Sequence, residues 1–149
     1  MFKEINRNMQ EELITFETAK LAKEKGFDEI CYYLHHPLYG VVDNSKYHKN
    51  SKLNVSDKDK TEYITAPTQS LLQKWLREVH KSVVTIRVYN NGEEWDETEY
   101  RVSVSEFKHF TTHDSFVKSD FSTYEEALEI GLQEALKLIE IVKDEKRNN

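Results

Sequence analysis

One stretch limits the possible folds more than any other: Thr65-Ala66-Pro67-Thr68-Gln69-Ser70-Leu71-Leu72-Gln73-Lys74-Trp75-Leu76-Arg77-Glu78-Val79-His80, running straight into the β-branched segment Lys81 to Val88. Leu71, Leu72, Trp75, Leu76 and Val79 recur at helical offsets and form an apolar stripe wide enough to lie on a sheet. Pro67 suits the first turn of that helix, where a missing N–H costs nothing. Gln69, Gln73, Arg77 and His80 share the wetter side. Gln73, Arg77 and His80 have no folding role in this reading, which makes them candidate binding residues. In the strand that follows, Val84, Ile86 and Val88 share one face, and Val83, Thr85, Arg87 and Tyr89 the other.

Asn90-Asn91-Gly92 is a hairpin signal of the type I′ kind. A two-residue loop at Asn91-Gly92 would set Val88 against Trp95, Ile86 against Glu97 and Val84 against Glu99, and so bury carboxylates beside valine and isoleucine. Because a one-residue slip reverses every side chain, the apolar set Tyr100, Val102 and Val104 requires an even pairing sum. A bulge or a longer loop through Glu93-Glu94-Trp95-Asp96 is therefore expected.

Toward the N-terminus, Thr15 caps a helix over roughly Phe16 to Lys25, Gly26 supplies the left-handed C′ residue, and Phe27 folds back on Ala22. Glu29-Ile30-Cys31-Tyr32-Tyr33-Leu34 reads as a strand with Ile30, Tyr32 and Leu34 alternating against Cys31 and Tyr33, ended by His35-His36-Pro37. Leu38 to Val42 continues it after a bend, and Tyr63-Ile64-Thr65 is one more short extended piece. Residues 43–60 carry almost no apolar side chains and no period, which is unusual length for a loop inside a domain. Glu106 to Lys118 has no clean period and reads as an irregular strand or strand plus loop. Ser122-Thr123-Tyr124-Glu125 is a capping box opening a helix that keeps its spacing to Val142. Gly131 and Ala135, one turn apart on its buried stripe, permit close approach to a neighbour.

At 149 residues the chain suits one domain. The expected fold is α+β: a single two-layer domain with an antiparallel or mixed sheet of three to five strands and the main helices on one face. A lone Cys31 cannot form an intrachain disulfide and points to a reducing, cytoplasmic setting. No run approaches the roughly 20 apolar residues of a membrane span. The net charge of −6 opposes a phosphate backbone, so nucleic-acid binding through Lys46, Lys49, Lys52, Lys58 and Lys60 is disfavoured.

The chemistry-bearing residues do not assemble into a motif. His109 and His113 have helical zinc spacing, but Thr111-Thr112 between them disfavours a helix, and on a strand they lie about 13 Å apart. No metal site follows. Cys31 in a tyrosine-rich strand reads as a small buried hydrophobe. With four glycines and no two close together, there is no phosphate-cradling loop and no cofactor is expected. Trp75 belongs to the core stripe. Trp95, with Tyr89 and Tyr100, is a candidate exposed aromatic patch among acids, and Glu93, Glu94, Asp96, Glu97 and Glu99 form a charged edge.

Ile14 to Phe27, the Ala66 to Glu78 block and Tyr124-Glu125-Glu126-Ala127-Leu128-Glu129 together resemble a group of small proteins, without assigned activity, encoded by gut anaerobic bacteria and by their phages and mobile elements. The resemblance spans most of the chain and implies a genomic setting in which such proteins bind and modulate host proteins or small signals. It carries no catalytic residue, ligand or cofactor.

Two functional expectations follow. The first is a non-catalytic binding or regulatory protein that recognises a host protein or a second copy of itself. The alternative is a small-molecule-binding protein or hydrolytic enzyme with a site under the 43–60 loop, built from His35, His36, Tyr39 and His80.

Overall fold

The computed structural model describes residues 10–43, 63–90, 98–108 and 111–140, with the backbone alone at 108 and 111–113. In chain order the elements are α1 (Phe16–Glu24), β1 (Tyr33–His36), β2 (Gly40–Asp43), β3 (Ile64–Thr65), α2 (Gln69–Val79), β4 (Ser82–Asn90), β5 (Thr98–Lys108), β6 (Thr111–Phe121) and α3 (Tyr124–Leu138). The class is α+β as expected. The strands, however, divide between two three-stranded antiparallel sheets, ordered β2-β1-β3 and β4-β5-β6.

Apolar pairing sets the register of the larger sheet. Val84 faces Val104, Ile86 faces Val102 and Val88 faces Tyr100, an even pairing sum that keeps carboxylates out of the core. The ladder closes at Asn90 opposite Thr98, so the connection is longer than two residues. The stretch from Glu106 to Lys118 belongs to two long strands that pair with each other. The register shift between Val104 and Ser105, opposite Phe116 and Asp114, falls inside this stretch and breaks its period.

Helix α3 lies across β4, β5 and β6, with α2 beside it against β4 and α1 packed on α3 and β3. Gly131 sits directly over the sheet. A Cβ built there would fall far inside van der Waals contact of Val84 Cγ1 and Val102 Cγ2, so the close approach anticipated for this position is real. One core cluster joins all three helices to both sheets, with Ile14, Leu72, Leu76, Val102, Val104, Leu132 and Leu136 almost wholly buried. Trp75 is buried in it, edge-on to Phe27 at 5.3 Å between ring centroids.

The helix caps follow local chemistry, with one cap and one proline differing from the sequence reading. Thr15 caps α1 by accepting from Thr18 N, and the Phe27 N–H returns to Ala22 O at 2.9 Å beyond Gly26 at φ +91°. Thr68 caps α2, accepting from Leu71 N, so Pro67 stands before the helix and not in its first turn. Pro67 precedes the cap, and its carbonyl accepts from Ile14 N, which ties the N-terminal strand-like segment to the helix entry. Thr123, and not Ser122, caps α3 by accepting from Glu126 N, since Thr123 begins a second T-x-x-E box one residue on. Helix α3 ends at Leu138, where Lys25 Nζ donates to Ile139 O at 2.6 Å; Val142 lies outside the described residues.

Candidate functional site

The expected strand at 29–34 is displaced. Only Tyr33 and Leu34 of that stretch are in β1, which continues through His35 and His36, both buried. β1 is the middle strand of its sheet and is covered on both faces, so burial is continuous and does not alternate. His35 Nε2 donates to Ile14 O at 2.9 Å, and its ring meets Phe16 edge-on. Burial pushes its pKa down, while the Ile14 carbonyl and the Glu129 charge oppose the shift. His36 Nδ1 accepts from both Leu38 N and Tyr39 N and so closes the turn into β2. Its ring lies between Tyr39 and Tyr63. Tyr39 is 76% exposed. The two histidines are therefore parts of the hairpin and present no imidazole to a cleft.

His80 ends α2 with its ring 4.5 Å from Trp75, and burial lowers its pKa. Gln69, expected on the wet side, is buried and donates to Glu125 O and Glu129 Oε2, both at 3.0 Å. Gln73 is half-buried and its amide donates to Val84 O at 2.8 Å. Of Gln73, Arg77 and His80, only Arg77 has no folding role. Tyr89 and Tyr100 lie on opposite faces of the sheet, Tyr89 opposite Glu99 and Tyr100 opposite Val88, so they do not form one patch. Trp95 lies outside the described residues, as do most of the 43–60 segment and the side chains of His109 and His113.

What the structure does bring together is a groove of about 580 Å³ between α2 and residues 30–33. Its apolar wall carries Tyr32 at 86% exposure and Ile30 at 50%, with Leu71 on the opposite side. Lys74 and Arg77, one turn apart on α2, line the groove, and neither is paired with a carboxylate among the described residues. Tyr32 and Ile30 were hidden in the sequence because they imitate the alternation of a half-buried strand. The nearest signal was Gly26-Phe27, a helix stop that leaves little chain to reach the sheet.

Cys31 lines the same groove but is buried, and its thiol is pushed up to about 12, mainly by burial, against the effect of a hydrogen bond involving Thr65. A thiol so rarely ionised is a poor nucleophile. None of the described pockets is lined by a histidine. Among the described residues no three His, Cys, Asp or Glu side chains gather as metal ligands, and no helix is long and apolar enough to cross a membrane. The chain matches no protein-family model, no curated protein and no solved structure.

Proposed function

We propose that this is a non-catalytic binding protein that acts by protein–protein recognition, taking a segment of its partner into the groove between α2 and residues 30–33. The observation that carries this reading is the exposure of Tyr32 beside Ile30 on a concave wall. Large apolar and aromatic groups left in water around a groove, with arginine at hand, are what interface centres are built from. Lys74 and Arg77 define the partner's chemistry: an apolar or aromatic anchor followed by carboxylates. The lone Cys31 adds a reducing, cytoplasmic setting, and the resemblance described above adds a phage or mobile-element origin and a host protein as partner.

A displayed random peptide library selected on the immobilised protein tests this. Selected peptides should combine an apolar anchor with acidic residues, and should bind at least about tenfold more weakly to Tyr32→Ala and to Arg77→Glu. Peptides that bind both variants as well as the parent would place recognition elsewhere. Circular dichroism of the variants separates loss of binding from loss of fold.

A further inference from the structure

The face of the β4-β5-β6 sheet turned away from α3 holds a second, unrelated feature. Val84 and Val102 point at Gly131 of α3, so the alternate residues of the same strands point outward. There Arg87 on β4 stands directly opposite Arg101 on β5. Side chains so placed start about 5 Å apart at Cβ, and like charges in that position are destabilising. The arrangement is nonetheless well braced. Arg101 lies over the Tyr89 ring with its guanidinium carbon 4.3 Å from the centroid, and its Nη1 donates to the Tyr89 hydroxyl at 3.2 Å. Its Nε is buried without a partner, and the residue as a whole is half-buried beside the exposed Arg87. Neither guanidinium is paired with a carboxylate among the described residues.

We infer that the Arg87–Arg101 pair is a binding site for a phosphate monoester. Two arginines paired across the ladder bring two positive charges and guanidinium donors to one face of the sheet. A phosphate monoester, at about −1.5 to −2 near neutral pH and with three acceptor oxygens, compensates both. A carboxylate, with one charge, leaves one arginine uncompensated. Tyr89 holds Arg101 in place before the ligand arrives, which lowers the ordering cost of binding. The site is on the sheet and is independent of the groove beside α2.

The test follows the arginine Nε–Hε resonances by NMR while inorganic phosphate is added at constant ionic strength, with acetate and chloride as controls. Saturable shifts at Arg87 and Arg101 are expected with phosphate and not with acetate. Arg87→Gln removes an exposed side chain with no hydrogen bond or ion pair among the described residues, and should weaken phosphate binding about tenfold or more. A phosphoserine peptide and glycerol 3-phosphate should move the same two resonances, and the tighter of the two names the source. Equal response to acetate, shifts that chloride reproduces, or binding unchanged in Arg87→Gln would each overturn the assignment.

Discussion

The carboxylate of Glu129 on α3 receives both the backbone N–H and the hydroxyl of Thr15, at 2.9 and 2.8 Å, and so holds the N-terminus of α1 against α3. The Thr18 hydroxyl also donates to Oε1, and Gln69 Nε2 donates to Oε2 from the start of α2. One side chain thus joins all three helices, and Gln133 extends the network by donating to Thr18. Thr18 and Gln69 are buried, so removing the acceptor strands their donors away from water. Glu129→Ala should destabilise the fold by about 3 kcal/mol in urea unfolding. Glu134→Ala, which breaks only the exposed pair with Lys137, should cost less than about 0.5 kcal/mol. Similar losses from the two would show that the network adds nothing to stability.

Gly131→Ala is the ordinary way to stabilise a helix, by about 1 kcal/mol. Here the new methyl would meet Val84 and Val102 across a tight helix–sheet contact. Overpacking of this kind typically costs 1–3 kcal/mol, so a net loss of about 1 kcal/mol is expected. A raised denaturation midpoint would mean that the sheet yields easily.

Burial holds the His35 pKa below its ordinary value in the fold, whereas in the unfolded chain it titrates near 6.5. The unfolded state therefore binds the proton first. The stability contribution is fully present above about pH 6.5 and is lost as the pH falls below it toward the folded value. His80 shifts in the same direction. The urea midpoint should fall between pH 7.5 and 5.5, and should fall less in His35→Gln, which keeps a donor for Ile14 O without a titrating ring. Identical pH slopes for parent and variant would remove His35 from the account.

Gln73 and Arg77 occupy neighbouring turns of α2 and line the same groove, yet they should respond oppositely to substitution. Gln73→Ala loses the bond to Val84 O and should cost about 1 kcal/mol. Arg77→Ala should change stability by less than about 0.5 kcal/mol. Equal effects in denaturant titrations would undo the distinction between a bracing side chain and one left for recognition.

Patterns that act over a few residues were legible in the sequence. The apolar stripe of α2, from which only Val79 at 57% exposure drops out, the cap at Thr15, the glycine stop at Gly26, the even pairing of Val84 and Ile86 with Val104 and Val102, and the small residue at Gly131 all act locally or through strict periodicity. The same local signals put the α3 cap one residue early, where Thr123 competes with Ser122, and set Pro67 inside the first turn of α2, whereas it precedes the Thr68 cap. Only the tertiary structure decided which of the polar residues were structural. His35, Gln69 and Gln73 look like surface chemistry until their partners Ile14, Glu125 and Val84 arrive from other parts of the chain, and His36, bonded locally to Leu38 and Tyr39, does so until the Tyr63 ring packs on it. Tyr32 and Ile30 look like core until the sheet begins only at Tyr33, after both of them. Composition and period report how a segment divides between water and core. They do not say which distant group will satisfy a donor, and that pairing separates the residues that hold this fold from those it leaves open for binding.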